Sequence, residues 1–321
     1  MVDAWYTPIK TELADVEKEI MDVLHSDNAE LDEMCRYVVT SGGKRIRPAL
    51  CILSYLACGG DYIKDAIRMG SAFEIIHSAS LVHDDINDKS EIRRGRKTLH
   101  EKYCVSKAIV AGDYMMAKGF QALGSSNKEI VEFIVEAASN MSEGEFTQKD
   151  FEHIKTVTEE DYYEIIQGKT AKLIEACAKS GAFISNAGPD QIEAIGDYSF
   201  SIGMAFQIID DTLDVTGDSS NTGKRVGLDI LEGKPTLPTI IAMKDPTYGK
   251  RISEYFAKEE IEEKDALEAI GLIKKTDAIE YCRKKAEEIV DKAIAYLGPV
   301  PDSVYKDSLI ALAKFIVDRD R

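Results

Sequence analysis

Asp84-Asp85-Ile86-Asn87-Asp88 and Asp210-Asp211-Thr212-Leu213-Asp214 are two copies of one acidic pattern, each closing a long run of helically spaced apolar residues. On a helix the first and third aspartates of a copy stand one turn apart on one face, with the second about 100° around. Six carboxylates converging at two helix ends repel strongly unless a cation lies among them. Their place at the C-terminal end of each run also sets them against the helix macrodipole. A single acidic string in an acidic protein is ordinarily a solvated face. Two strings, each behind an apolar run and each opposed to a dipole, point instead to a metal. Hard oxygen ligands suit Mg²⁺, which takes one or two carboxylates together with phosphate oxygens and water. The pattern therefore asks for a phosphorylated ligand.

Basic residues gather where such a ligand needs them. Gly42-Gly43-Lys44-Arg45-Ile46-Arg47-Pro48 places three cations at a glycine-flexed helix junction, and Arg93-Arg94-Gly95-Arg96-Lys97 follows the first aspartate pattern. Gly168-Lys169-Thr170 interrupts a helix, and Gly233-Lys234-Pro235-Thr236 ends a long polar segment after the second pattern. The Gly-Lys-Thr is not a P-loop, because the upstream glycine and a preceding strand are missing. Arginine forks and lysine point charges are what phosphate oxygens require. Together these clusters hold more cation than one diphosphate needs, which implies two diphosphates.

The elements that must position these groups read as helices almost throughout. Thr7-Pro8 predicts a cap and first turn for a helix to about Leu24. Further helices are expected at about 29–40, from Pro48 to Gly59, and from Tyr62 into the first aspartates. Others follow at about 105–123, 128–154 and 158–186, the last opened by a capping box with Asp161 in the acidic position. Pro189 begins the helix that ends in the second aspartates, residues 217–233 form the least structured stretch, and four or five helices finish the chain. Alternating strand patterns are absent, so the fold class is all-α and one domain over 1–321 is the simplest account. A net charge of −17 argues against nucleic acid as a partner. No membrane span or signal segment is evident. The six cysteines, Cys35, Cys51, Cys58, Cys104, Cys177 and Cys282, have no metal-ligand spacing and fit a reducing, cytoplasmic setting.

Taken in order, Gly42–Pro48, Leu81–Asp88, Arg93-Arg94-Gly95, Ala111–Tyr114, Gly168–Thr170, Phe206–Asp214 and Glu232–Pro238 make the chain resemble the trans-isoprenyl diphosphate synthases over essentially its whole length. The resemblance implies a single large helical domain around a deep central pocket, usually in a homodimer. It implies condensation of an allylic diphosphate with isopentenyl diphosphate. Asp84, Asp85, Asp88, Asp210, Asp211 and Asp214 would then hold about three Mg²⁺ ions, with Arg93, Lys169 and Lys234 clamping the allylic diphosphate. Lys44, Arg47, His77 and Arg94 would take isopentenyl diphosphate. Thr170 and Gln207 would lie beside the allylic cation, and Lys224 would close over the site with its loop. Glu145 and Gln148 match weaker family positions, and the terminal Arg319-Asp320-Arg321 is a candidate cover for the second diphosphate.

Chain length is expected to depend on the helix before Asp84, at Ser80 or Ala79, then Ile76, then Phe73, with Phe133 as another candidate floor. Ala79 and Ser80 are small, which predicts products of twenty carbons or more. Two other readings keep the fold: a class I terpene cyclase and the non-catalytic subunit of a heteromeric synthase. The second-diphosphate cations and the six aspartates favour the synthase.

Overall fold

The computed structural model of the chain describes residues 4–124, 127–217, 227–258 and 260–318. It is all-α apart from one two-stranded hairpin among the described residues. These residues group into two compact units. One comprises Met1–Val135, Ala176–Gly196 and Leu297–Leu312, the other Glu136–Glu175, Asp197–Tyr296 and Ala313–Arg321.

In the first unit, α1 (Lys10–Val23), α2 (Ala29–Val39) and α3 (Ile46–Ala57) precede α4 (Ile63–Asn87), the helix that carries the first aspartates. Apolar residues occupy most of the circumference of α4, and α1, α3 and α6 (Val105–Leu123) pack around it. Helices approach this closely only where side chains make room. A Cβ on Gly119 of α6 would come within 2.6 Å of Ile76, and one on Gly70 within 2.9 Å of the Pro48 backbone. Close packing on several sides makes α4 a fixed post for His77 and the aspartates.

The hairpin was not visible in the hydrophobic pattern. It pairs β1 (Ile92–Arg93) with β2 (Arg96–Lys97) across Arg94-Gly95, and both turn residues have positive φ, 50° and 74°. Two such residues make the mirror-image turn that suits a tight hairpin. The short α5 (Leu99–Lys102) leads from it into α6. The N-terminal boundary also differs from expectation: Thr7-Pro8 lies within a 3₁₀ turn (Ala4–Ile9), and α1 begins after it.

Between the units in sequence run α7 (Lys128–Phe151), α9 (Lys172–Ile184), α10 (Pro189–Thr216) and, near the end, α16 (Val304–Val317). Within the second unit α8 (Glu159–Ile166) starts at the expected capping box, with Thr158 and Asp161 exchanging hydrogen bonds. What reads as one helix from 158 to 186 is broken by a π-helical turn, Gln167–Ala171. After it come α11 (Leu228–Leu231), α12 (Leu237–Met243), α13 (Gly249–Phe256), α14 (Glu263–Ile273) and α15 (Ala278–Tyr296). A core of Val215, Ile230, Ala242, Ile252, Tyr255 and Ile270 with their neighbours ties α10 to α11–α14.

Candidate active site

In the first unit the basic cluster at 42–48 divides by function. Gly42 and Gly43 have φ of 91° and 145°, and Arg45 itself sits left-handed as the residue before α3. That bend turns Arg45 inward. Its guanidinium donates to Glu74 Oε1 (2.9 Å) and the Val39 carbonyl (2.7 Å), and also pairs with Glu17. Arg45 is therefore a structural cation. Arg47, two residues on, keeps a buried Nε with no hydrogen-bond partner. Lys44 is exposed.

Arg94, at the hairpin turn, donates to the Gly42 carbonyl, and its guanidinium lies where a Cβ on Gly43 would stand, 3.0 Å away. The φ of 145° at Gly43 favours glycine, and a Cβ there would push the Arg94 guanidinium aside. His77, Arg47 and Arg94 share one electrostatic environment. Burial and then Arg47 and Arg94 hold the His77 imidazole well below its ordinary value, so it is neutral. Burial likewise lowers Arg47 and Arg94, with Glu74 acting against the shift at both and Asp85 also at Arg94. A cation set short of counter-charge is what an incoming anion completes.

Asp85 pairs with Arg93 through one of its oxygens. Arg93 Nε donates to its Oδ1 at 2.6 Å, and burial still raises its carboxyl above the ordinary range. Asp84 and Asp88 are half-buried beside it on the last turn of α4. Ser78, Leu81, Asp85, Arg93, Arg94 and Lys97 all line one cleft.

The second unit gathers Lys169, Thr170, Gln207, Asp211 and Lys234 around one cavity, together with Tyr162 and Asp229. The π-helical turn explains how. It shifts the register of the helix at Lys169 and Thr170, as such turns do at functional sites. It fits because Gly144 and Gly168 let α7 and the turn touch backbone to backbone. A Cβ on Gly144 would lie 2.7 Å from Lys169 N. Lys169 then pairs with Glu145 (2.5 Å) and donates to Gln148 (2.9 Å), so these two weak sequence matches position the lysine. Lys234, almost fully buried, pairs with Glu232 at 2.7 Å.

Sequence reasoning missed Asp229 and Tyr162. Asp214 accepts from the backbone N–H groups of Leu228 (3.3 Å) and Asp229 (3.2 Å), which draws α11 onto the second aspartate pattern and brings Asp229 with it. The Gly227-Leu228-Asp229 sequence behind the polar loop is the only signal that could have suggested it. Tyr162 OH donates to Asp211 at 2.7 Å across 49 positions of sequence, which no periodicity reveals. Lys224 and Arg319-Asp320-Arg321 lie outside the described residues.

The donor set fits a divalent cation. Burial first, and Asp229 next, push the Asp211 carboxyl well up. Burial and then Asp214 push Asp229 up to about 8, with Lys234 acting against the shift. Carboxylate in excess of nearby protein cation is the chemistry of a site that a hard metal completes. No three acidic, His or Cys side chains among the described residues converge tightly enough to hold a metal alone.

Asp229 gives a pH signature. Its folded value of about 8 lies above the unfolded one, so the folded chain keeps a proton the unfolded chain has lost. Stability from this group is intact below about pH 4, where both states are protonated, and is lost as pH rises through about 8. The melting midpoint without divalent cation should therefore fall between pH 5 and 8, and Asp229→Asn should flatten that fall. An unchanged slope in the variant would assign the pH dependence elsewhere.

Of the chain-length candidates, Phe73, Ile76 and Ala79 are fully buried. Ile76 meets Gly119 of α6, and Ala79 stands one turn along from it toward the aspartates. Ser80 lies one turn before Asp84, half-buried, with its hydroxyl donating to the His77 carbonyl at 2.9 Å. Phe133 is edge-to-face with Phe183, ring centroids 6.2 Å apart.

Helices carrying paired aspartates, two basic sets and a Thr-Gln-Asp cavity define a class that ionises and joins diphosphate esters. The chain belongs to the polyprenyl synthetase family, whose model matches residues 28–273. It is 36% identical over 313 residues to the octaprenyl diphosphate synthase of Escherichia coli, covering 97% of this chain and 96% of the relative. It is 37% identical over 323 residues to the short chain isoprenyl diphosphate synthase of Methanothermobacter thermautotrophicus, covering 94% and 99%. A Caulobacter crescentus polyprenyl synthase, solved with calcium and isoprenyl diphosphate, superposes with a TM-score of 0.94 at 31% identity, covering 99% of this chain and 98% of that one. The activity is that of a trans-prenyltransferase. No helix of the described residues is long and apolar enough to cross a membrane.

Proposed function

We propose that the whole chain is one catalytic domain that extends an allylic prenyl diphosphate with isopentenyl diphosphate, head to tail, to an all-trans product of twenty carbons or more. What supports this reading over cyclisation is a second cation set, Arg47 and Arg94 beside neutral His77 on the first unit, in addition to Lys169 and Lys234 on the second. A cyclase ionises one diphosphate and has no use for it.

Asp84, Asp85 and Asp88, with Asp210, Asp211 and Asp214, are the proposed holders of about three Mg²⁺ ions. Mg²⁺, when bound, neutralises charge on the departing diphosphate. Lys169, Lys234 and Arg93 orient that group, and Lys224 is assigned to cover it. Lys44, Arg47, Arg94 and His77 hold isopentenyl diphosphate. The allylic C–O bond breaks with its electron pair leaving on the diphosphate. The isopentenyl double bond attacks the cation, and a proton passes to the departing diphosphate. Thr170 and Gln207 face the cation with dipoles rather than nucleophiles.

A homodimer fits the exposed apolar side chains Val105, Ile109, Val110 and Phe120 on α6, and Val131 and Val135 on α7, which an interface would cover. Six free thiols support a reducing, cytoplasmic setting.

The test is product formation by the purified chain with Mg²⁺ and both diphosphates. Arg47→Lys separates the two sites, because a planar fork is replaced by a point charge. The isopentenyl KM should rise about tenfold or more while the allylic KM changes little. A larger effect on the allylic substrate would exchange the two assignments.

A further inference from the structure

The Tyr162 phenol sits at the head of a hydrogen-bond chain whose directions are all fixed. Tyr162 OH donates to Asp211 Oδ2 at 2.7 Å, and Gln207 Nε2 donates to Asp211 Oδ1 at 2.7 Å. Gln207 Oε1 in turn accepts from Thr170 Oγ1 at 2.8 Å. Tyr162 is 2% exposed, and Asp211 and Thr170 each 6%, so water has little access to compete for these bonds. The Gln207 amide thus turns its NH₂ toward Asp211 and its oxygen toward Thr170. The single hydroxyl proton of Thr170 is then taken by Gln207. What Thr170 Oγ1 has left for the cavity that these residues line is its lone pairs.

An opposite polarity would be harmful. If Asp211 swung away, Gln207 could turn over and donate to Thr170, whose proton would then point into the cavity. A positive dipole end there opposes a developing carbocation, whereas a lone pair stabilises it.

We propose that Tyr162 is a positioning residue for the condensation: its phenol anchors Asp211 as the fixed acceptor that orients Gln207 and Thr170 with their negative ends toward the allylic cation. This rests on the prenyltransferase reading above. Each Asp211 oxygen accepts one protein donor and keeps a lone pair, so this task adds to the proposed metal binding.

The experiment compares Tyr162→Phe, Thr170→Val and the double variant in full-length protein, with Tyr163→Phe as a phenol-loss control outside the chain. Tyr163 OH donates to Glu159 instead. Tyr162→Phe should lower kcat about ten- to hundredfold, the scale of a hydrogen bond to a charged group, with Tyr163→Phe close to wild type. The allylic KM should stay within about threefold, because ground-state binding is untouched. The double variant should be no worse than Thr170→Val within about threefold, since both changes act through one hydroxyl. The rise in melting midpoint produced by Mg²⁺ with inorganic pyrophosphate should be retained in Tyr162→Phe.

A kcat within threefold of wild type, additive losses in the double variant, or loss of the pyrophosphate-dependent shift would each overturn the proposal. The last outcome would place Tyr162 in metal or diphosphate retention instead. Should Tyr162→Phe not fold, Gln207→Met tests the same hydrogen-bond chain at its middle link, because it keeps the size and removes both bonds. It should lower kcat by at least the same factor with the midpoint shift kept, and normal turnover or a lost shift counts against the proposal. Wild-type turnover in the same assay tests the prenyltransferase reading separately.

Discussion

Asp84→Asn and Asp210→Asn should each lower turnover at saturating Mg²⁺ and substrates by about 10²–10³-fold or more, the loss that follows removal of one preorganised transition-state contact. Asn keeps the size and removes the charge. The effect should fall on kcat rather than on stability, because neither residue carries the packing of its helix. Asp84 ends α4, where the buried contacts with α1, α3 and α6 lie behind it, and Asp210 is half-buried on α10. Removing the Asp84 carboxylate from the last turn of α4 also relieves an unfavourable dipole interaction, so its melting midpoint should hold or rise slightly, while Asp210, six residues before the end of α10, should leave the midpoint unchanged. The measurement is steady-state turnover with the melting midpoint recorded alongside. Near-normal turnover in either variant would remove that aspartate from the metal set. A fall in turnover matched by a fall in midpoint would mean that the residue is structural.

The two acidic patterns, the basic clusters and the helical class were legible because each is local. Helical spacing places Asp84 and Asp88 on one face, and the Thr158–Asp161 capping box formed where its four residues predicted. Three features were not legible, for distinct physical reasons. The hairpin at Arg93–Arg96 is too short to show alternation, and its turn depends on Arg94 accepting a left-handed backbone that favours glycine. The π-helical turn at Lys169 depends on Gly144 of another helix meeting it at backbone distance. Arg45 is indistinguishable in sequence from Arg47 beside it, and the bend at Gly42-Gly43 sends Arg45 to Glu74 while Arg47 keeps a buried Nε with no hydrogen-bond partner. In each case a contact distant in sequence decides what the local pattern leaves open. Asp229 and Tyr162 belong to the same group, since their roles come from Asp214 and Asp211 across the second unit.

Ala79→Phe should change the product more than the rate. Ala79 is five residues before Asp84, roughly 7–8 Å along the helix axis. It is fully buried on α4, one turn nearer the aspartates than Ile76, which already fills the space that Gly119 leaves on α6. A product that grows away from the aspartates must pass this level, and small residues at Ala79 and Ser80 leave it open. A phenyl ring at 79 has no gap on the α6 side to occupy, and overpacking there costs about 1–3 kcal/mol. The ring should therefore turn toward the growing chain and stop it at fifteen or twenty carbons, with the first condensation intact. Ser80→Phe is the informative partner, because Ser80 shares the face of Asp84 more closely, about 40° away against about 140° for Ala79. If both variants shorten the product, the lumen spans both positions. If only Ser80→Phe does, the wall is the face of Asp84, His77 and Phe73, and Phe73→Ala should then lengthen the product. Chromatography of dephosphorylated products at fixed substrate ratios reads all three, since excess allylic starter itself shortens products. Unchanged products from both aromatic variants, with activity retained, would mean that α4 does not set chain length at this level.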